Sequence, residues 1–130
     1  MNSHSTEISV CARYGEIPGL MAEFARRAAA LGVAEADIQR LQLVLEELFT
    51  NSIRHGYGAE SDALIRVDLK REDNGPRLYF CDRAPLFDIT AYTPATAPEI
   101  GGLGIPLIRG MSKAIRYTRR DSCNITELDF

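Results

Sequence analysis

The sequence predicts a two-layer α/β sandwich of the α+β class, in which helices cover one face of a mixed, mostly antiparallel sheet. Two stretches in the first half of the chain carry apolar residues at helical spacing. Two pairs of alternating segments, each joined by a short turn, predict β-hairpins, and hairpins force antiparallel pairing. With a third, short helix, three helices are enough to cover one sheet face. The 130 residues are expected to form one domain, 1–130.

The first half of the chain is predicted to form one strand and two helices. Alternating apolar residues predict a strand over residues 6–14. Pro18 suits the first turn of a helix, and Gly32 ends the helical spacing that follows it. A second helix is predicted over residues 35–54. Its apolar stripe consists of Ile38, Leu41, Leu45, Leu48 and Ser52.

The second half is predicted to form two hairpins separated by a loop and a short helix. The loop carries three prolines, and long loops in compact domains are often functional lids. The expected order of elements along the whole chain is β-α-α-β-β-α-β-β. The predicted elements of this half are a strand at 63–69, a turn at 73–76, a strand at 77–82, a loop at 83–100, a helix at 103–111, and strands at 114–119 and 124–130.

Composition excludes several classes of protein. The net charge is −3, so no basic excess exists to neutralise nucleic-acid phosphates, and no direct nucleic-acid partner is expected. No apolar run approaches ~18 residues and the start does not resemble a signal peptide, so we expect a cytoplasmic protein without a membrane partner. Cys11, Cys81 and Cys123 form neither a disulfide framework nor a zinc motif, and they are interpreted as small core thiols.

Glu47 and Asn51 are the first candidate pair for chemistry. They lie four residues apart in the second predicted helix and therefore on the same helix face. A carboxylate can act as a general base or orient a hydroxyl, and an amide oxygen is a hard ligand suited to Mg²⁺. The alternative is a solvated helix face, because the spacing places both residues nearly opposite the apolar stripe. Spacing alone favours that alternative.

Two further features complete a candidate nucleotide site. Asp82 ends an apolar strand, where its carboxylate could accept a hydrogen bond from an exocyclic amine; the alternative is a turn aspartate beside Pro85. Gly101, Gly102 and Gly104 open the third helix, where backbone N–H groups and the helix dipole could hold phosphate. The alternative for these glycines is a flexible hinge. The chain contains no P-loop motif.

Taken in this order and spacing, the motifs resemble the ATP-binding domain shared by gyrase, the heat-shock chaperone ATPase, histidine kinases and the MutL repair protein. Within that superfamily, the chain resembles the stand-alone anti-sigma-factor serine/threonine kinases, and residues 43–56 and 101–111 are the closest stretches. The resemblance covers nearly the whole chain. It implies a histidine-kinase-like ATPase fold and Mg²⁺-dependent binding of ATP.

The resemblance also implies roles and partners. Glu47 would be the catalytic base, or would orient a serine hydroxyl of a protein substrate, while Asn51 would bind Mg²⁺ and Asp82 would read the adenine amine. The implied partners are a sigma factor and an anti-anti-sigma protein that the kinase phosphorylates, and a homodimer is compatible with the family. The implied nucleotide-binding set consists of Asn51, Asp82, Ala84, Gly102, Leu103 and Gly104.

Two departures from the family pattern leave an alternative open. The glycine expected two residues after Asp82 is Ala84, whose methyl group could crowd the base or exclude a positive φ. The late Gly-Thr pair of the superfamily is not recognisable in residues 122–126. The alternative is a regulatory module of the same fold that sequesters a partner with weak or lost ATP turnover.

Overall fold

The computed structural model describes residues 7–91 and 104–130. Within these residues the chain forms five β-strands and three α-helices, and the predicted order of elements is confirmed. The elements are β1 (Ile8–Cys11), α1 (Ile17–Ala30), α2 (Glu35–Asn51), β2 (Leu64–Glu72), β3 (Gly75–Asp82), α3 (Gly104–Met111), β4 (Ala114–Arg120) and β5 (Cys123–Asp129).

The strands form one open sheet in the order β1-β2-β3-β5-β4. Every described pairing is antiparallel, so the expectation of a partly parallel sheet is wrong. The connection through α3 does leave β3 and β4 running in the same direction, but β5 lies between them and pairs with both. The β4–β5 hairpin turns at Asp121 and Ser122, which have φ of 54° and 63°. Positive φ at both central residues is typical of the type I′ turn that matches the twist of a hairpin.

The helices pack on one face of the sheet and bury the predicted apolar stripes. Along β3, Leu78 and Phe80 are buried against the helices, while Tyr79 and Cys81 are half-buried on the opposite face. This alternation is the period-2 pattern of a strand with one covered face.

Because Leu45 of α2 is fully buried, its truncation to alanine is expected to cost about 2–5 kcal/mol. The stripe residues Ile38, Leu41, Leu45, Leu48 and Ser52 are all buried.

Two predicted boundaries are wrong. The first strand was expected over residues 6–14, but β1 ends at Cys11 because a 3₁₀ turn at Tyr14–Glu16 leads directly into α1. The second helix was expected to end at residue 54, but its α-helical part ends at Asn51 and continues as a π-helical segment, Ser52–Tyr57. Gly58, with φ of 84°, ends that segment. π-Helical turns are rare and are frequently found at functional sites.

The interpretation of all three cysteines as core thiols is also wrong. Cys123 is buried, whereas Cys11 and Cys81 are only partly buried, and all three are free thiols. Burial raises the pKa of the Cys81 thiol, so this group is protonated at neutral pH. In the two described stretches, no helix combines the length and apolar character needed to cross a bilayer.

A charged cluster joins the last three strands of the sheet. Arg116 donates to both carboxylate oxygens of Asp129 over 2.9 Å, and the Nε of Arg77 donates to Oδ1 of Asp129 over 2.7 Å. Arg116 also pairs with Glu127. The hydrogen bonds from Arg116, and then those from Arg77, hold the pKa of Asp129 well below its usual range. This carboxylate therefore links β3 and β4 to β5.

We expect Asp129→Asn to destabilise the protein at pH 7 more than at pH 3. Because the folded-state pKa of Asp129 is depressed, its stabilising contribution is present above the unfolded pKa of about 3.9 and is lost as the pH falls. Urea unfolding of wild type and variant at both pH values measures the difference. Asp73→Asn, in the exposed turn between β2 and β3, is the control. An equal difference at pH 7 and pH 3 would contradict the role of the charge.

Candidate functional site

A cleft lies between the end of α2, the end of β3 and the beginning of β5. It brings together Asn51 and Asp82, two of the residues predicted to share a site, although they belong to different elements. Apolar side chains form most of its walls, and buried polar side chains form its base. The cleft is lined by Leu48, Asn51, Ser52, Phe80, Asp82, Phe87, Ile89, Asn124 and Thr126.

Asp82 is the buried acceptor of this cleft, with 4% of its surface exposed. Ser52 Oγ donates to Oδ2 of Asp82 over 2.6 Å. Asn124 Nδ2 and the backbone N–H of Ala84 donate to Oδ1 over 2.8 Å and 3.1 Å. An ionised carboxylate has about four acceptor positions, so these three bonds leave one, on Oδ2, for a further donor. The position of Asp82 is therefore suited to an amine-bearing ligand.

Asn51 carries an unsatisfied buried amide. Its side chain is 2% exposed, and its Nδ2 makes no hydrogen bond among the described residues. The two ends of a carboxamide exchange by rotation, so either a donor or an acceptor can occupy this position. The alternative that α2 presents a solvated face here is wrong for Asn51, and Glu47 is half-buried while its neighbour Glu46 is exposed.

The start of α3 covers this face of α2. A Cβ at Gly104 would collide with the carboxylate of Glu47 and would lie 3.4 Å from Nδ2 of Asn51. A side chain at position 104 would therefore require the Glu47 carboxylate to move, and the structure brings Glu47, Asn51 and Gly104 together. The other predicted glycine-loop positions, Gly101, Gly102 and Leu103, and residues 92–100 of the predicted lid lie outside the described residues.

Ala84, which stands where the family pattern has glycine, is completely buried. In the part of the chain that the structure describes, Asp121 and Ser122 are the only non-glycine residues with positive φ, so Ala84 does not adopt a conformation that needs glycine. Its methyl carbon lies 3.1 Å from the point where a Cβ would stand on Gly56. The glycine that makes room at this contact is therefore Gly56, on the π-helical segment.

The π-helical segment Ser52–Tyr57 contacts Asp82 and the two residues that follow it. Ser52 meets Asp82 and Gly56 meets Ala84, as described above. The backbone N–H of Arg83 donates to the hydroxyl of Tyr57 over 2.8 Å. Burial raises the pKa of that hydroxyl, so Tyr57 stays neutral. The segment thus holds the residues after β3 against the end of α2.

His55 lies on the same segment but does not line the cleft. It is half-buried, and its Nε2 is buried without a hydrogen-bond partner among the described residues. Burial, followed by the charge of Arg54, lowers the pKa of His55, so the ring is neutral at pH 7. A neutral ring cannot act as a cationic partner of a helix C-terminus.

Three polar residues of the cleft were not identified from the sequence. Ser52 follows Asn51 directly, but it was assigned only to the apolar stripe. Asn124 pairs with Asp82, and Thr126 pairs with Phe80, across β5 and β3. Asn124 and Thr126 share one buried face with Leu128 and Phe130 at the end of the chain, and polar residues at the buried positions of a strand were the available signal. They occupy the region where no Gly-Thr pair was recognisable.

The arrangement is suited to a ligand with two chemically different ends. A flat, amine-bearing group could donate to Asp82, but the enclosed volume is only about 20 Å³, so apolar side chains of the lining such as Phe87 would have to move aside to admit it. An anionic group could lie toward Asn51 and the N-terminal end of α3, because a helix N-terminus carries a positive partial charge. A carboxylate, Glu47, stands beside the anionic end.

A family model described as "Histidine kinase-like ATPase domain" matches residues 10–130. Among solved structures, the chain is similar to the crystal structure of the RsbU and RsbW domains of Rv1364c from Mycobacterium tuberculosis, with a TM-score of 0.66 and 18% sequence identity. That match covers 94% of this chain and 30% of the other chain, so this chain spans less than a third of the longer protein. At this identity the likeness shows the fold alone. No curated protein matches the chain.

The family match extends over nearly the whole sequence, and the described sheet, helices and cleft agree with it. The chain therefore belongs to the histidine kinase-like ATPase domain family.

Proposed function

We propose that this protein binds Mg²⁺-ATP and acts as an anti-sigma-factor-type serine/threonine protein kinase. In this proposal it phosphorylates an anti-anti-sigma protein and sequesters a sigma factor. The observation that carries the proposal is that one cleft contains a buried acceptor carboxylate, Asp82, and the buried amide of Asn51, while the half-buried carboxylate of Glu47 lies one helical turn from Asn51, beside Gly104. The ATPase family, the resemblance of the motifs to anti-sigma kinases and the fold shared with an RsbW domain support it.

Asp82 provides the base-recognition part of the proposal. The free acceptor position on Oδ2 would take a hydrogen bond from the exocyclic amine of adenine. Phe80, Phe87 and Ile89 offer apolar surface to the two faces of the base. A base with a carbonyl in place of the amine would bring an acceptor against the carboxylate, so the site would disfavour it.

The residues also fit a divalent cation held with the nucleotide. Mg²⁺ takes oxygen ligands and usually binds through one or two protein groups together with substrate phosphates. The Asn51 amide is buried where α2 meets α3, its Nδ2 has no hydrogen-bond partner among the described residues, and rotation of the amide can present its oxygen at that position. When bound, Mg²⁺ supplies neutralisation of the phosphate charge. Asn51 would hold the cation and so fix the position of the phosphates relative to Glu47.

Glu47 provides the catalytic part of the proposal. Its carboxylate lies against Gly104 and one helical turn from Asn51, so it stands beside the expected phosphate position. A carboxylate here can orient the hydroxyl of a protein serine and accept its proton as the new ester bond forms. The N–H groups at the start of α3, with Gly102, Leu103 and Gly104, would hold the phosphates without a charged side chain.

The alternative function is a partner-sequestering module with weak or lost ATP turnover. Ala84 in place of the family glycine is the feature that favours it. Because Ala84 has an ordinary backbone conformation and its methyl group is accommodated by Gly56, the structure provides little support for a loss of binding at this position.

We expect Mg²⁺-dependent binding of ATP by the wild-type protein and weaker binding by Asp82→Asn. One hydrogen bond to a charged group is worth about 1.5–3 kcal/mol, so the affinity is expected to fall by about tenfold or more. Calorimetric titration with ATP, with and without Mg²⁺, measures this, and thermal melting verifies folding. Asp73→Asn is the surface control. Failure of the wild type to bind millimolar ATP would refute the kinase proposal, and unchanged affinity in Asp82→Asn would remove Asp82 from base recognition.

We expect Glu47→Gln and Asn51→Ala to lose activity in different ways. Loss of a general base typically costs ~10²–10⁴ in rate, so Glu47→Gln should lose phosphoryl transfer but keep ATP and partner binding. Asn51→Ala should lose transfer and Mg²⁺-ATP affinity together, because a metal ligand also serves ground-state binding. The measurement is radiolabel transfer from ATP to the candidate anti-anti-sigma protein, beside a pull-down of the sigma factor.

Glu46→Gln is the matched control for that experiment, because Glu46 is the exposed neighbour of Glu47 on the same helix. Transfer at the wild-type rate in Glu47→Gln would exclude Glu47 from the mechanism. A wild-type protein that retains the sigma factor but shows no transfer would favour the sequestering module instead.

We expect Ala84→Gly to leave ATP affinity unchanged or slightly lower, because Ala84 has an ordinary backbone conformation, while the added unfolded-state entropy of glycine should lower folding stability by about 0.4–1 kcal/mol. Gly56→Ala should weaken binding and lower the melting temperature, because its methyl group would contact that of Ala84 at 3.1 Å. Combining both changes moves the methyl group from one side of the contact to the other and should recover most of the loss. A large gain of ATP affinity in Ala84→Gly would show that Ala84 does obstruct the base.

A further inference from the structure

The side chain of Asn124 is the centre of a hydrogen-bond network around the segment that follows Asp82. It lies near the start of β5, is 4% exposed, and pairs with Asp82 across the sheet. Its Nδ2 donates to Oδ1 of Asp82 over 2.8 Å. The same nitrogen donates to the carbonyl oxygens of Ala84 and Pro85, each over 3.1 Å. One amide group thus contacts both the carboxylate and the loop beside it.

The oxygen of the same amide accepts from a second set of groups. The backbone N–H of Phe87 donates to Oδ1 over 3.2 Å, and Nη1 of Arg119 donates over 2.8 Å. The hydroxyl of Tyr117 donates to it as well. Because guanidinium and backbone N–H groups only donate, and carbonyl oxygens only accept, the orientation of the Asn124 amide is determined by its partners. At position 124, an aspartate would replace the Nδ2 donor with an oxygen that faces three acceptors, namely Oδ1 of Asp82 and the two backbone carbonyl oxygens. An alanine would make none of these bonds.

Hydrogen bonds from side chains of the last hairpin, rather than a special backbone conformation, hold the residues that follow Asp82. Arg119 Nη1 also donates to the carbonyl oxygen of Ala84 over 3.0 Å, so Ala84 is held from β4 as well as from β5. Phe87, held through its N–H, is a wall of the cleft. The path from Asp82 to Phe87 is therefore set by side chains of the last hairpin, and it does not depend on a glycine at position 84.

We propose that Asn124 is a positioning residue for base recognition. It holds Oδ1 of Asp82, so that Oδ2 presents its free acceptor position to the base, and through Phe87 it sets the wall on which the base lies. Asn124 acts through Asp82 and does not itself bind the amine. The inference rests on the proposed function, since it requires that the cleft bind a nucleotide base.

Base selectivity separates this role from a merely structural one. ATP and purine riboside triphosphate differ by the exocyclic amine, which is the group assigned to Asp82. A variant that disturbs the cleft as a whole would weaken the binding of both nucleotides equally. Misplacement of Asp82 would weaken ATP and leave the amine-free nucleotide nearly unaffected. The ratio of the two affinities is therefore the readout.

The experiment measures both dissociation constants calorimetrically for wild type, Asn124→Ala, Asn124→Asp and Arg119→Ala, with thermal melting to verify folding. The wild type is expected to prefer ATP by about tenfold. Asn124→Ala should remove most of that preference. Asn124→Asp is closest in shape to the wild type but should bind ATP more weakly still, because its carboxylate oxygen would face the acceptor oxygens of Asp82 and of the two backbone carbonyls. Thr118→Ala, on the opposite face of the neighbouring strand β4, is the control and should keep the wild-type ratio.

Arg119→Ala keeps the test decisive if the Asn124 variants do not fold. The Arg119 side chain is exposed, so its removal spares the core, and the ATP preference is expected to fall by about threefold. An unchanged ratio in the folded variants, with wild-type preference for ATP intact, would overturn the positioning role and leave the proposed function standing. A wild type that binds neither nucleotide, or binds both equally, would overturn the assignment of Asp82 and the positioning role together.

Discussion

The burial of the Asp82 carboxylate is the constraint on which the rest of the cleft depends. A buried charge is costly unless hydrogen bonds replace the water it loses. Asp82 obtains those bonds from Ser52 on the π-helical segment, from Asn124 on β5 and from the backbone of Ala84. Three separate parts of the chain must therefore meet at one carboxylate. The π-helical extension of α2 carries Ser52 to the carboxylate, and the close Gly56–Ala84 contact lies beside it.

Two aspartates of the same sheet show how different partners give different roles. Asp129 is bound by the cationic side chains of Arg77 and Arg116, which balance its charge and use its oxygens. Asp82 is bound by a hydroxyl, an amide and a backbone N–H, all neutral, and it keeps one acceptor position. The first arrangement joins strands. The second leaves an unused acceptor inside a cleft, as the proposed recognition of a base requires.

Asn51 and Gly104 are two features of the candidate site that do not themselves stabilise the fold. A buried polar atom without a hydrogen bond costs about 1–3 kcal/mol, and among the described residues the Nδ2 of Asn51 has no partner at the junction of α2 and α3. Gly104 has no side chain, and this lets α3 begin in contact with the carboxylate of Glu47. Neither feature stabilises the fold. Both are explained if ligand groups satisfy the amide and approach the helix end, so that the free energy of binding offsets what folding loses.

The sequence by itself determined the order of the elements, the two buried helix stripes, both hairpins and four residues of the candidate site, Glu47, Asn51, Asp82 and Gly104. These features depend on local periodicity, on turn chemistry and on spacing within one helix. The tertiary structure alone decided that α3 covers the Glu47 face of α2, that the end of α2 becomes π-helical, and that β5 separates β3 from β4. It also decided that Ala84 is tolerated and that Asn124 supports Asp82. Each of these depends on contacts between segments that are distant in the chain. The effect of a methyl group or an amide is then set by the atoms packed against it, which the local sequence does not reveal.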